Sequence, residues 1–298
     1  MSYTELSLLE FQRRFSTEEA CQQALEQARW PSGFACPRCG HREASRIATR
    51  RLLQCCACRY QVSLAAGTVF HKTRTPLVKW FWAIWMVARD KGGTSAMRLA
   101  RQLELGYRTA WTMLHKLRKA MGQRDACYML TGSIEMDDAY FGGKGNGKMG
   151  RGTAKTPVVV MVEERGEHAG FIGIKALTAA SKKQLSAAAQ QKIAPGQRVH
   201  TDGWTGYNGL SGLGHDHHAE IVPPHQAHEK LPWVHIAISN AKRFLLGTYH
   251  GVSPKYLQAY LDEYCYRFNR RAWEPTLTTR LITACVSANP VTLAELRA

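Results

Sequence analysis

The sequence predicts an α/β protein in which a mixed-sheet domain follows a small cysteine-rich module and a helical region. Three observations support this prediction. Two Cys-x2-Cys pairs lie within residues 36–58, an apolar helical pattern covers much of residues 77–121, and alternating strand-like segments begin at residue 133. At 298 residues with 45% hydrophobic composition, the chain is long enough for more than one domain.

The charge balance points to a polyanionic partner. Forty Lys and Arg residues against 23 Asp and Glu give a formal net charge of +17. Nucleic acid is favoured over a membrane surface because no basic amphipathic anchor stands out, although a charge that serves only solubility is the alternative. The sequence shows no signal peptide and no run of about 18 apolar residues, so we expect a cytoplasmic protein without a membrane partner.

The two cysteine pairs predict a structural zinc site. Cys36 and Cys39 form the first pair, and Cys55 and Cys58 form the second after 15 intervening residues. In a reducing compartment such pairs are typical of a zinc ribbon, in which four thiolates bind one ion and the ion stabilises the fold. A register that uses Cys56 in place of Cys55 would spoil the two-residue spacing. Unliganded buried cysteines are the alternative.

A helical region follows the predicted ribbon. Residues 77–85 carry an apolar stripe that we interpret as core. Residues 94–121 then read as a helix capped by Ser95, a turn at Leu105–Tyr107 and a second helix. This pattern is typical of a helix-turn-helix, in which the second helix enters the major groove, although two packed helices are also common in proteins that never bind DNA. The candidate DNA contacts are Arg108, Lys116, Arg118 and Lys119.

The second half of the chain predicts a mixed sheet. Three strand-like segments, "SIEMDDAYF", "PVVVMVEE" and "GFIGIKAL", precede the helix "SKKQLSAAAQQKI". The strands "RVHTDGW" and "HAEIVPP" and the helix "PWVHIAISNAKRFLLGTY" complete the series. This order matches an RNase H-like sheet, although other α/β folds remain compatible with it. The predicted regions are a helical lead (1–30), the zinc ribbon (31–62), a helical DNA-binding region (63–125), the RNase H-like domain (128–275) and a C-terminal tail (276–298).

Acidic residues at two strand positions suggest a second kind of metal site. Glu135 and Asp137 share one strand face while Asp138 points to the other, and Asp202 ends a later strand. If the two strands are neighbours, Asp137 and Asp202 meet at one rim, where magnesium ions offset their repulsion. Two such ions support phosphoryl transfer. Surface aspartates without a ligand are the alternative.

Several longer stretches resemble the IS1595 family of transposases, with its ISXO2-like domain, over about residues 8–275. They include "WPSGFACPRCG", "IEMDDAYFGGK", "HTDGWTGY" and "GTYHGVSPKYLQAYLDEYCYRFNRR". The resemblance implies metal-dependent DNA cleavage and strand transfer at inverted repeats by an acidic triad on an RNase H-like fold. Asp137 and Asp202 would be its first two acids. Double-stranded DNA, from transposon ends and target, would be the partner of a dimer or higher oligomer at the nucleoid.

The third position departs from the commoner pattern of the family. Where many relatives have Glu followed seven residues later by Lys, this chain has His235 and Lys242, which share one helix face. His235 would bind magnesium or manganese through a neutral nitrogen. Asn240 is a rival for this position, although it lies about 140° around the helix. Lys242 and Arg243 are expected to hold the DNA backbone.

Two other functions remain open. The chain is alternatively a non-enzymatic, sequence-specific DNA-binding regulator whose catalytic domain has degenerated, a possibility raised by His235 at the third position. A general nuclease would cut DNA without regard to transposon ends.

Overall fold

The computed structural model describes residues 6–50, 52–142, 153–221 and 230–298. The chain divides into two compact units, one formed by Met1–Met121 together with Trp273–Ala298 and the other by Gly122–Ala272. The first unit is therefore assembled from two separate parts of the chain. Within the described ranges, no helix is both long enough and apolar enough to cross a bilayer.

Three helices in the N-terminal part of the first unit begin at residues whose side chains cap them. The side chains of Ser7, Thr17 and Ser95 each accept the backbone N–H three residues further on, which satisfies donors that every helix leaves at its start. The cap predicted at Ser95 is thus present. In chain order, the described residues first form α1 (Leu8–Arg14), α2 (Glu18–Arg29), α3 (Leu77–Arg89), α4 (Ala96–Gln102) and α5 (Tyr107–Asp125).

The turn between α4 and α5 begins earlier than the sequence suggests. It was expected at Leu105–Tyr107, but α4 ends at Gln102 and Glu104 already has a φ of 50°. Tyr107 is the first residue of α5. The left-handed residue ends the helix because its backbone cannot continue a right-handed helical path.

A small antiparallel sheet lies between α2 and α3 in the sequence. Its strands are β1 (Ala44–Ile47), β2 (Leu52–Cys55) and β3 (Gln61–Ser63), with β2 in the centre. Leu53 and Val62 face each other across β2 and β3 and are both buried. This pair gives the short sheet an apolar contact that holds its register.

Helix α3 forms the centre of the helical core. Its predicted apolar stripe is buried, and both Trp80 and Phe81 are at most 2% exposed. No side chain of α3 itself caps its start. Instead the carboxylate of Glu18 on α2 accepts the N–H groups of Leu77 and Val78 at 3.1 and 3.3 Å. A negative charge there also complements the helix dipole.

The second unit contains a five-stranded mixed sheet, as predicted. In spatial order the strands are β6 (His168–Ala176), β5 (Thr156–Arg165), β4 (Ser133–Phe141), β7 (Arg198–Asp202) and β8 (Asp216–Glu220). The β4–β5 and β5–β6 pairs are antiparallel, whereas β4–β7 and β7–β8 are parallel. Strand β8 begins two residues before the predicted "HAEIVPP" segment, whose last three residues lie outside the described ranges.

Helices cover both faces of this sheet. One face packs on α6 (Lys182–Lys192) through Ile134 and Met136 of β4. The other packs on α7 (Pro232–Tyr249) and α8 (Pro254–Phe268) through Ala139 and Phe141. Since β4 is central and alternates between these two cores, its odd-numbered residues face α7.

The last part of the chain returns to the first unit. Residues 276–298, treated from the sequence only as a tail, form α9 (Leu277–Ser287) and α10 (Leu293–Arg297). Helix α9 packs on α2 and α3, and the carbonyl of Cys285 accepts the N–H of Val69 at 3.1 Å. Both Leu281 and Cys285 are fully buried, so α9 belongs to the core of the unit.

Candidate active site and zinc site

The four predicted cysteines form one compact cluster. The sulfurs of Cys36, Cys39, Cys55 and Cys58 all lie within 4.8 Å of one another. The Cys36–Cys58 and Cys39–Cys55 sulfur pairs are 3.6 Å apart. A tetrahedral zinc with Zn–S bonds of about 2.3 Å requires sulfurs separated by roughly 3.8 Å, so the cluster fits the ion.

Two tight turns bring the cysteine pairs together. Gly40 donates its N–H to the carbonyl of Cys36, and Arg59 donates to that of Cys55. Both donors have positive φ, 75° and 59°, which closes each turn so that two thiols of a pair point the same way. Cys56 is exposed and outside the cluster, so the predicted register with Cys55 is confirmed.

Asp137 and Asp202 occupy equivalent positions on neighbouring parallel strands. The last paired residues of β4 and β7 are Glu135 and His200. Two residues further along each strand come Asp137 and Asp202, at corresponding positions just beyond the last pair and on the same face of the sheet. Burial raises the pKa of the Tyr207 hydroxyl well above its usual value, and the charges of both aspartates and of Asp138 add to this rise. All three carboxylates are thus close enough to the phenol for their charges to act on it.

Asp138 is directed away from the other two acids. Its Oδ1 accepts a hydrogen bond from the Tyr207 hydroxyl at 3.2 Å, on the sheet face that packs against α6. Asp202 caps its own turn instead, because its Oδ1 accepts the N–H of Trp204 at 3.2 Å. Gly203 between them has a φ of 50°. The chain therefore leaves β7 sharply, with the Asp202 side chain at the strand end.

Glu135 connects the acidic strand to the start of α7. Its carboxylate is 3% exposed and accepts the N–H of Val234 at 2.8 Å. Burial raises its pKa to about 7, although hydrogen bonds from the Val234 and Trp233 N–H groups oppose the rise. The helix that carries His235 is thus attached at its first turn to the strand that carries Asp137.

His235 and Lys242 lie on one stripe of α7. They are seven residues apart and both half-buried, which places them on the same helix face. Burial lowers the pKa of Lys242, nearby Lys155 lowers it further, and the charge of Asp137 raises it. The Lys242 ammonium is also 5.5 Å from the Phe141 ring centroid. The stripe therefore follows β4 on the side of Asp137.

The donor set of this rim differs from that of the zinc site. Among the Cys, His, Asp and Glu side chains of the described residues, only the four cysteines bring three or more ligand atoms within 4.8 Å of one another. Asp137, Asp202 and His235 are therefore more widely spaced. The two carboxylates suit a six-coordinate magnesium or manganese ion, which keeps waters and takes phosphate oxygens as further ligands, and the imidazole, which prefers softer ions than magnesium, favours manganese.

The predicted DNA contacts divide into exposed and buried residues. Arg108 and Lys119 of α5 and Arg243 of α7 are exposed. Lys116 and Arg118 are only 9% and 2% exposed. The Lys116 ammonium donates to the carbonyl of Val69 at 3.1 Å. A direct contact of Lys116 or Arg118 with DNA does not fit these positions, and we correct that part of the prediction.

Three residues near the acids went unnoticed at the level of sequence. Tyr207 belongs to "HTDGWTGY", where its distance from the acids in space was not visible. His200 stacks on His218 of β8 with ring centroids 5.3 Å apart; two histidines at matching positions of parallel strands were the signal for this pair. Lys155 follows a Gly- and Lys-rich connector and gave no signal.

Comparisons with known proteins agree with this architecture. Residues 129–269 match the model of the ISXO2-like transposase domain, and residues 16–61 match that of a transposase zinc-ribbon domain. The chain is also similar to an uncharacterized protein in transposable element ISH50 of Halobacterium salinarum. The two are 28% identical over 217 residues, which cover 66% of this chain and 71% of the relative.

Proposed function

Since the chain belongs to the IS1595 family of transposases, we propose that it cuts DNA at the inverted repeats of an insertion sequence and joins the freed ends to target DNA with divalent metal ions. The observation that carries the proposal is the register that brings Asp137 beside Asp202 at the rim of the sheet. The strand order β6-β5-β4-β7-β8, with β4 central and β7 and β8 parallel to it, supports an RNase H-like interpretation.

Each residue of the rim has a distinct part in this reaction. Asp137 and Asp202 would hold magnesium or manganese, and His235 would add a neutral nitrogen ligand from α7. Bound in pairs, such ions activate an attacking oxygen and stabilise the leaving one. Lys242 is close enough to Asp137 for the charge of the carboxylate to raise its pKa. The Lys242 ammonium would bind a phosphate oxygen beside the acids. Arg243, exposed on the next position, would hold the backbone further along the strand.

The same rim would serve both cleavage and joining. In cleavage, water attacks the phosphodiester in line and leaves a 3′ hydroxyl. In joining, that hydroxyl attacks target DNA and displaces another 3′ oxygen. Both steps exchange one P–O bond for another, so no covalent enzyme intermediate is needed. Joining two ends would bring together at least two copies of the chain.

The first unit would bind DNA at the nucleoid. Helices α4 and α5 would act as a helix-turn-helix, with exposed Arg108 and Lys119 against phosphates. The ribbon would extend this surface, and the net charge of +17 favours a polyanion.

A plasmid assay tests the function directly. Supercoiled plasmid with the element's inverted repeats is incubated with protein and Mg²⁺ or Mn²⁺. We expect cutting at the ends that is lost in Asp137→Ala and in Asp202→Ala. Asp216→Ala is a matched control, because Asp216 lies at the opposite end of the neighbouring strand and pairs with Arg198. Cutting in the Asp137→Ala protein would refute the assignment.

The regulator remains a second candidate because His235 stands at the position where the family resemblance implies Glu in many relatives. It predicts tight binding to the ends without cutting under either metal. Cutting without regard to the ends would instead identify a general nuclease.

A further inference from the structure

A cavity of about 780 Å³ opens at the strand ends of the second unit. It lies where β4 ends, β5 begins and β6 ends, and the first residue of α8 closes one side. Small and apolar residues line much of it, among them Pro157, Leu177 and Pro254, together with Tyr140 and Lys155. A flat apolar ligand with a negative charge at one end suits such a lining.

The walls of this cavity are held by hydrogen bonds. Leu177 donates its N–H to the carbonyl of Pro157 at 2.8 Å. The side-chain carbonyl of Gln184 accepts the N–H of Thr178 at 2.9 Å and that of Ala179 at 3.4 Å. The loop after β6 is thus held by β5 on one side and by α6 on the other. This wall of the cavity is therefore fixed by hydrogen bonds within the fold, which lowers the cost of ordering it around a ligand.

Lys155 joins the cavity to the acidic rim. It lines the cavity, and its charge also lowers the pKa of Lys242, after the larger effect of burial. Its stem lies against Gly142, where an added Cβ would be 3.2 Å from the Lys155 Cγ. Two ammonium groups close enough to repel each other favour an anion between them. Phosphate groups of a DNA strand that runs from the rim into the cavity would supply that anion.

We propose that this cavity holds an unstacked nucleotide of the strand being cut, with its base against Tyr140 and its phosphate near Lys155. The inference rests on the proposed function, since it extends the same DNA path. Tyr140 follows Asp137 by three residues on β4, a distance of about 10 Å along a strand, and as an even-numbered residue it belongs to the sheet face opposite Asp137. This distance equals about three stacked nucleotides at 3.4 Å each, and fewer when the strand is unstacked. The held base would therefore lie a few nucleotides from the cut, on a strand that passes around the end of β4.

Binding of a single strand without catalysis tests the proposal. The probe is a short oligothymidylate with one central 2-aminopurine, whose fluorescence is quenched when it stacks on an aromatic ring. Full-length protein is titrated without added divalent metal, so that cutting plays no part. We expect the wild type to bind the probe and quench its fluorescence. Tyr140→Ala should bind about tenfold more weakly and should not quench, whereas Tyr140→Phe should keep both the binding and the quenching.

Further variants separate the cavity from general effects. Ala179→Trp should fill the cavity and weaken binding while all original side chains except one methyl remain. Lys155→Ala should weaken binding several-fold, whereas Lys183→Ala, at an exposed lysine of α6, should leave it unchanged. Tyr128→Ala is the matched aromatic control, because Tyr128 is 37% exposed and does not line the cavity. Thermal unfolding verifies that each variant is folded.

The results distinguish the two levels of inference. If folded Tyr140→Ala and Ala179→Trp proteins bind and quench like the wild type, the nucleotide site is refuted even if plasmid cutting is intact. If quenching depends on Tyr140 but no cutting occurs with either metal, the nucleotide site stands and the proposed catalytic function fails.

Discussion

The carboxylate of Glu135 accepts the backbone N–H of Val234 at 2.8 Å. This hydrogen bond attaches the first turn of α7 to β4, two residues from Asp137. His235 follows Val234 directly, so Glu135 sets where the candidate third ligand begins. Glu135 itself is buried and does not need to touch a metal ion to matter for the site.

Removal of this acceptor should loosen α7. We expect Glu135→Ala to lower the free energy of unfolding by about 1–3 kcal/mol, because a buried N–H loses its partner. Glu135→Gln keeps a carbonyl oxygen and should cost less. Urea unfolding measures both, with Glu167→Ala in the exposed turn between β5 and β6 as control. An alanine variant as stable as the wild type would show that α7 is held by other contacts.

The zinc site should hold one ion and stabilise the ribbon. We expect one zinc per chain in the wild type and in Cys56→Ser, because Cys56 lies outside the cluster. Cys36→Ser and Cys58→Ser should lose most of the zinc, since a closed site needs all four thiolates. Atomic absorption on purified protein gives the ratio. Full zinc occupancy in the Cys36→Ser protein would contradict the assignment.

Stability of the first unit should fall as the pH falls below 6.5. Burial, with a smaller effect from the charge of Arg118, lowers the pKa of His115 to about 3. As the pH falls through 6.5, the imidazole binds a proton in the unfolded chain but not in the folded chain. The stability that the neutral imidazole contributes is therefore fully present above pH 6.5 and is lost on acidification. Between pH 6.5 and 5 the loss should reach about 2 kcal/mol.

A His115→Phe variant isolates this effect. Its ring can still stack on Trp111, whose centroid is 4.0 Å from that of His115, but it does not titrate. The free energy of unfolding, measured by urea at several pH values, should differ from that of the wild type by an amount that changes with pH. A difference that is constant from pH 5 to 7 would be inconsistent with a buried neutral imidazole.

The basic residues of α5 should separate into two classes. Arg108→Ala and Lys119→Ala should each weaken DNA binding and reduce the slope of log affinity against log salt by about one, as expected for phosphate contacts. Lys116→Ala should mainly lower stability, because its ammonium binds the carbonyl of Val69 inside the unit. Fluorescence anisotropy over a salt series, beside urea unfolding, measures both effects. A large salt-slope change in a fully stable Lys116→Ala protein would overturn this division.

Local spacing made the zinc ligands and the strands of the second unit predictable. Cys36 and Cys58 belong to two Cys-x2-Cys pairs, a spacing that is typical of zinc sites and has few other roles. The side chains of β4 alternate in character along the sequence, as they alternate between the two faces of the sheet. The faces of α5 were not predictable. Residues 113–118 are buried all round the helix, so no amphipathic pattern marks Lys116 and Arg118 as internal. Lys155 escaped notice because its position depends on packing against Gly142, which no periodicity records.

The return of α9 to the first unit has a consequence for synthesis. The apolar surfaces of α2 and α3 that receive α9 leave the ribosome long before Leu281 and Cys285 exist. The second unit, by contrast, is contiguous and can fold as soon as it emerges. A chain that ends at Ala272 and has left the ribosome should therefore resist protease in its later half, while its earlier half still binds chaperones.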